Sequence, residues 1–340
     1  MKIAIANSDR KTADIIRKVV SQKDGHTIAW IAGDGREAVE LCKKNRPEIL
    51  LMDVRLPILN GVEAVKQIMA RTPCSILIVT SNVDENAALV FEAMGHGAMD
   101  VIPAPVMAGD GSIKGAERLI RKIEIIGRLT GKNIAPVVCE PAVVKSQGPV
   151  PLVCIGASTG GPKAIAGILE GIPAGFQGCL VVVQHIDFQF AEGFATWLQS
   201  QTRLKVLPAM GGEIPVPGTV FVSVKPDHLV FSQRRRLSYV IDENDPIYKP
   251  SIDIFFSSAA NNCETPGMAV LLTGMGKDGA AGLLALKKAG WLTVAQDEES
   301  CAVYGMPRAA AERNAAMKIL PLARIADSIL AFSQVAKTKQ

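Results

Sequence analysis

Leu152-Val153-Cys154-Ile155-Gly156-Ala157-Ser158-Thr159-Gly160-Gly161-Pro162 runs from four apolar residues into a glycine-rich turn and then into helical spacing. A short apolar strand, a turn and a helix form one βα unit, and a chain of such units closes into a parallel sheet with helices on its faces. Three chemistries use a glycine-rich turn at this place. A dinucleotide loop needs Gly-x-Gly-x-x-Gly, which is absent. A phosphate loop needs a lysine directly after its second glycine, where Pro162 stands. Gly156-Ala157-Ser158-Thr159-Gly160 does fit Gly-x-Ser-x-Gly, whose flanking glycines permit a sharp turn that lifts a serine oxygen above the sheet. A glycine-rich turn with an incidental serine competes with this reading until a base and a carboxylate are found.

The same pattern repeats on both sides. Downstream, Leu180–Gln184, Val220–Val222, Ala269–Thr273 and Thr293–Ala295 read as strands, with helical spacing near 161–170, 190–201, 252–262, 279–290 and 324–336. A mid-section with Pro208, Pro215 and Pro217 and alternating strands near 219–241 predicts an antiparallel insertion. Upstream, Ile3–Ala6, Ile28–Ala32, Ile49–Met52, Ile76–Thr80 and Met99–Ile102 alternate with helical patterns, and a helix near 113–129 closes that half. Between the halves, Gly131, Pro136, Pro141, Gly148 and Pro149 break every periodicity. The expected architecture is α/β, with two doubly wound, mostly parallel sheets. A flavodoxin-like domain spans 1–125 and a linker 126–150, and a Rossmann-like domain with the antiparallel insertion spans 151–340.

Composition supports two domains and narrows the function. At about 150 residues per domain, 340 residues with 48% hydrophobic and 21% charged side chains fill two cores. A net charge of +4, spread over so large a surface, gives no basic stripe for nucleic acid. Apolar runs stop well short of the roughly 18 residues of a membrane span, so no membrane insertion is expected. The seven cysteines form no Cys-x-x-Cys pair, which fits free thiols in a reducing compartment rather than zinc or a disulfide framework. Met1-Lys2-Ile3-Ala4-Ile5 reads as a first strand and not as a signal peptide, so a cytoplasmic location is expected.

A serine nucleophile needs a base, and the chain has four histidines. His26 and His96 fall in the first half. His185 ends the strand Leu180–Gln184, on the rim where Ser158 belongs, whereas His228 fits either behind the site or on its substrate face. The carboxylate that orients the base is expected at another strand tip. Asp278, in Gly274-Met275-Gly276-Lys277-Asp278-Gly279 after Ala269–Thr273, suits best, with Asp187, Asp227 and Asp297 as weaker rivals. The glycines around Met275 allow backbone N–H groups to point inward as an oxyanion hole. The order Ser, His, Asp along the chain differs from that of α/β-hydrolases, so the same geometry is built independently.

In the first half, Leu51-Met52-Asp53-Val54-Arg55-Leu56-Pro57 places a carboxylate at the tip of an apolar strand, and Thr80 ends the next strand on the same rim. Residues 1–125 resemble a two-component receiver domain, with Asp53 at the phosphoacceptor position and Thr80 at the switch hydroxyl. The resemblance implies phosphorylation of Asp53 by a histidine kinase with Mg²⁺. The sequence departs from the pattern in two places. Ala6-Asn7-Ser8-Asp9 puts Asn7 and Ser8 where receivers carry two acids, leaving Asp9 one step late, and Ala104 stands in place of the lysine. Asp53 and Asp9 are then the carboxylates left for the cation, and weak Mg²⁺ binding is expected.

The second half resembles the protein-glutamate methylesterases of bacterial chemosensory systems, the CheB family. The matching blocks are 155–162, Val183-Gln184-His185, Lys225-Pro226-Asp227-His228, Pro250-Ser251-Ile252-Asp253, 272–279 and Tyr304-Gly305-Met306-Pro307, in order. The resemblance implies Ser158 as nucleophile, His185 as base, Asp278 as orienter, the Met275 N–H as oxyanion donor, and Thr159 close to the imidazole. It also implies an esterase without cofactor, acting on methyl-accepting chemoreceptors and, as in some relatives, deamidating their glutamines. Its partners are then a chemotaxis-type histidine kinase and an opposing receptor methyltransferase. Met69-Ala70-Arg71-Thr72-Pro73-Cys74 and Phe91-Glu92-Ala93-Met94-Gly95-His96-Gly97-Ala98 look like the Wsp-type, surface-sensing branch. Two rival readings are a regulator whose hydrolase-like domain serves only as a binding interface, and a DNA-binding regulator. The intact Ser158, His185 and Asp278 speak against the first, and the lack of a helix-turn-helix signal against the second.

Overall fold

The computed structural model describes residues 1–127, 150–241 and 249–337. They fall into two compact units, Met1–Ile134 and Ala135–Gln340. Of the linker expected over 126–150, all but its extreme ends lies outside the described residues.

In the first unit β1 (Lys2–Ala6), α1 (Arg10–Ser21), β2 (Thr27–Ala32), α2 (Gly35–Lys44), β3 (Ile49–Met52), α3 (Gly61–Arg71), β4 (Ser75–Thr80), α4 (Val83–Gly95) and β5 (Asp100–Pro103) alternate. Asp9, Asp34, Asn60 and Asn82 cap α1 to α4, each accepting from backbone N–H groups of the first turn. The five strands pair in parallel in the order β2-β1-β3-β4-β5, the flavodoxin-like order, with its switch point between β1 and β3. The helix expected near 113–129 begins later. Ile113–Lys114 (β7) pair antiparallel with Val106–Met107 (β6), and α5 spans Ala116–Gly127.

The second unit begins with β8 (Leu152–Ala157), α6 (Gly161–Glu170), β9 (Cys179–Gln184), α7 (Phe188–Gln201), β10 (Lys205–Ala209) and β11 (Thr219–Ser223). It continues through β12 (His228–Ser232), β13 (Arg236–Val240), α8 (Ile252–Asn262), β14 (Met268–Leu271), α9 (Ala280–Lys288), β15 (Leu292–Gln296), α10 (Met306–Glu312), β16 (Lys318–Leu320) and α11 (Leu322–Lys337). Seven strands form one parallel sheet in the order β10-β11-β9-β8-β14-β15-β16. β8 and β9 are buried along their whole length, which is why they read as unbroken apolar runs. Helix α6 packs with α7 and α11, while α8 packs with α9 and β12 around Phe231, Phe255, Phe256 and Trp291.

The antiparallel insertion is smaller than expected. Among the described residues of this section only β12 and β13 pair antiparallel, whereas β10 and β11 join the main sheet in parallel despite Pro208. Pro208 is tolerated because β10 is an edge strand. No helix among the described residues is long and apolar enough to cross a membrane.

Gly156 brings β8 against the start of α8, where a Cβ would lie 2.4 Å from Ile252 Cγ2. Gly156→Ala is expected to lower stability by about 1–3 kcal/mol through overpacking. Ile252→Ala removes the clashing methyl, so urea unfolding of the double variant should show a smaller loss than the two single losses added together.

Candidate active site

Ser158 follows β8, His185 follows β9 and Asp278 lies in the loop leaving β14, three neighbouring strands at the switch point of the sheet. Backbone hydrogen bonds lace these ends together. Ser158 N–H donates to the Thr273 carbonyl at 3.0 Å, His185 N–H to Ala157 at 2.9 Å, and Leu272 N–H to Gly156 at 2.9 Å. The turn differs from a strained nucleophile elbow, because Ser158 is not among the positive-φ residues. The left-handed conformation falls on Gly160 at φ +78°, where a Cβ would also meet Ala302 Cβ at 2.5 Å. Ser158 itself is 6% exposed.

His185 Nε2 lies 2.8 Å from Asp278 Oδ2, so the carboxylate engages the imidazole through that nitrogen. The same Asp278 oxygen accepts the Ile252 N–H at 2.6 Å. Its Oδ1 accepts the Ser251 hydroxyl at 2.9 Å and the Asp253 N–H at 3.0 Å. Asp278 therefore sits on the positive end of α8, whose N-cap is Ser251. Burial pushes the Asp278 pKa up, but the His185 hydrogen bond and charge and the Ile252 and Asp253 amides outweigh it and hold the pKa below its ordinary 3.8.

Gly274 lies so close to the nucleophile that a Cβ there would be 2.6 Å from Ser158 Cβ, which brings the next residue, Met275, to the site. The Gly274 carbonyl is held by Gly305 and Met306 N–H at 3.1 and 2.8 Å. Thr159 is buried, and its carbonyl accepts the Thr273 hydroxyl at 3.0 Å. The rival carboxylates have other tasks or surroundings. Asp187 caps α7, Asp297 accepts from Ser300, and Asp227 is partly exposed ahead of β12. His228 is buried, with Nδ1 accepting the Ser251 N–H at 2.9 Å.

Sequence reasoning missed Gln184 and Ser251. Gln184 Nε2 donates to the carbonyls of both Ser158 and His185, at 2.8 and 3.0 Å, and so staples nucleophile loop to base loop. Its signal was a buried-type position, at the end of an apolar strand, held by an amide. The signal for Ser251 was a serine between Pro250 and an apolar helix.

In the first unit Asp53 is half-buried at the end of β3 and Thr80 is buried at the end of β4. Burial pushes the Asp53 pKa up, against hydrogen bonds from the Arg55 N–H and the Thr80 hydroxyl. Thr80 Oγ1 accepts Asn86 Nδ2 at 2.7 Å, and Arg55 Nε donates to Asn86 Oδ1. No motif in the sequence marks Asn86. Asp9 carries out a different task from the expected cation ligand: its oxygens accept Lys11 N–H, Thr12 N–H and the Thr12 hydroxyl as the cap of α1. Asn7 is buried, with Oδ1 accepting the Asp9 N–H at 2.9 Å. Among the described residues no three His, Cys, Asp or Glu side chains converge as a metal cluster. Mg²⁺ favours near-octahedral oxygen ligation, and this rim, where Asp9 is committed to capping α1 and Asn7 and Ser8 carry no charge, fits it poorly.

Residues 153–329 match the family model described as CheB methylesterase, and residues 3–110 match the response regulator receiver domain. The protein-glutamate methylesterase/protein-glutamine glutaminase of Mesorhizobium japonicum is 45% identical, over 97% of this chain and 98% of its own length. The protein of the same name from the group 3 operon of Pseudomonas putida is 44% identical, over 98% and 99%. Among solved structures, the CheB methylesterase catalytic domain of Thermotoga maritima is 34% identical with a TM-score of 0.51, covering 54% of this chain and 99% of that one.

Asp278→Asn puts an NH₂ group where donors converge, so it should loosen α8 as well as misorient His185. Turnover is expected to fall about 10⁴-fold and stability by about 3 kcal/mol, whereas Ser158→Ala keeps its Tm. Because the folded pKa of Asp278 is depressed, its stabilisation is fully present above 3.8 and fades as pH falls from there through the folded value. Denaturant titrations in that acid window should give a flatter stability profile for Asp278→Asn than for the natural chain.

Proposed function

The chain belongs to the CheB methylesterase family, with a receiver domain ahead of the esterase domain, and from that premise we propose that it hydrolyses glutamate γ-methyl esters on chemoreceptors through Ser158, His185 and Asp278. Its relatives are named for a second hydrolysis as well, that of protein glutamine, and we assign both to this site. The observation that carries the reading is the 2.8 Å link between His185 and a buried, ionised Asp278 on the rim that bears Ser158.

The chemistry follows from the geometry. Ser158 Oγ attacks the ester carbonyl as His185 takes its proton, and Asp278 holds the ring and offsets the imidazolium charge. The Met275 N–H, beside the nucleophile, receives the charge that develops on the carbonyl oxygen. Return of the proton from His185 expels methanol, or ammonia from a glutamine, and leaves an acyl-enzyme. Water activated by His185 then attacks the acyl-enzyme and frees a glutamate. Each turnover adds one negative charge to the receptor, which is a local electrostatic signal.

Phosphorylation of Asp53 by a chemotaxis-type histidine kinase is the regulatory input in this reading, and a receptor methyltransferase supplies the opposing reaction. The stretches 69–74 and 91–98 support assignment to the Wsp-type branch. The enzyme works in the cytoplasm, where the receptor helices present their esters. Asp53 also has no strong cation site beside it, so its phosphorylation is slow and depends on the partner kinase.

Methanol release from methylated receptor membranes should fall roughly 10⁴-fold or more in Ser158→Ala, with ammonia release from glutamine-bearing receptor falling in step. Near-normal release by that variant would remove the assignment. Acyl-phosphate labelling of the receiver should be slow at low millimolar Mg²⁺ and absent in Asp53→Asn. Rapid labelling, or phosphate on another residue, would contradict the weak-cation account.

A further inference from the structure

His228 opens β12 and has no exposed surface. Complete burial excludes the substrate-facing role that the sequence left open. Its Nδ1 accepts the Ser251 N–H at 2.9 Å, which requires a neutral ring with its proton on Nε2. Ser251 is the N-cap of α8, and its hydroxyl accepts Ile254 N–H at 3.3 Å while donating to Asp278 Oδ1 at 2.9 Å. Pro250, directly before it, has no N–H, so the entry to α8 is pinned through the amide of Ser251 itself.

β12 continues along the same helix. Phe231 N–H donates to Ser258 Oγ at 2.9 Å, Asn262 Nδ2 donates to the Phe231 carbonyl at 2.8 Å, and Phe231 stacks on Phe255 with ring centroids 5.6 Å apart. The strand thus holds α8 at its cap and again further along, and His228 supplies the hold at the end that touches the site.

We propose that His228 is a positioning residue for the hydrolysis. By fixing the Ser251 amide, it makes the Ser251 hydroxyl and the Ile252 and Asp253 N–H groups converge on Asp278, and through Asp278 it sets the orientation of His185. The inference rests on the reading of Ser158, His185 and Asp278 as the reacting group, and it assigns the hairpin a part in that reaction.

Three full-length variants test it. His228→Asn places an oxygen near the Nδ1 position, His228→Gln places one near Nε2, and His228→Leu has no acceptor. With methylated receptor membranes, the Leu and Gln variants should lose about 10- to 100-fold in kcat with KM unchanged. Labelling of Ser158 by a fluorophosphonate should slow to match, and the downfield Nε2 proton resonance of His185 should shift or disappear. His228→Asn should restore most of kcat and that resonance. A wild-type kcat in the Leu variant overturns the proposal, as do equal losses in the Asn and Gln variants. That Asn–Gln comparison still decides if the Leu variant fails to fold. Ser158→Ala separates the two levels: if it stays active the triad reading fails, and if it is inactive while the Leu variant is normal, only the role of His228 fails.

Discussion

A single buried carboxylate holds this catalytic unit together. Asp278 accepts from His185, the Ser251 hydroxyl and the amides of Ile252 and Asp253. An ionised carboxylate with 7% exposure is costly to bury unless every lone pair is engaged, and here charge-assisted bonds and the helix dipole meet that demand together. The same four bonds join the end of β9, the start of α8 and the loop after β14. Orientation of the His185 ring and attachment of a helix to the sheet are therefore one interaction, and the site inherits the rigidity of the core.

Much of this was legible in the sequence because both sheets are parallel and buried. Leu152–Ile155 and Leu180–Val183 are continuous apolar runs, and chemistry in such sheets collects where the runs end, so Ser158, His185 and Asp278 announced themselves by position. What stayed hidden was set by tertiary partners. β10 runs through Pro208 as an edge strand in a section where no strand was expected before 219, and β16, only three residues long, has no periodicity to detect. The turn after β8 places its left-handed conformation on Gly160, one of the glycines that flank Ser158 in the motif. Gln184 and Asn86 matter through bonds to groups that are remote in sequence or unmarked by any motif.

The receiver unit shows the opposite balance between pattern and substance. Its rim carries Asp53 and Thr80 at the ends of β3 and β4, yet the position where receivers carry an acid is a buried Asn7, and Asp9 is committed to capping α1. Arg55 and Asn86 instead build a chain of donors that reaches Thr80 from the side of α4. The fold survives this exchange because none of these side chains belongs to the apolar cluster of Ile3, Ile5, Leu51, Leu77 and Val79 that holds the sheet.

The outer strand of the seven-stranded sheet has a consequence for the behaviour of many copies together. In β10, Lys205 N–H turns inward to the Gly218 carbonyl, so Val206 and Pro208 present their outward sides. The Val206 N–H is taken by Gln199 Oε1 at 2.9 Å, and Pro208 has no N–H at all. The border that could have recruited a strand from another molecule is therefore stripped of its donors over this stretch. A long parallel sheet, slow to assemble and sticky while unfinished, is thereby kept from polymerising along that border.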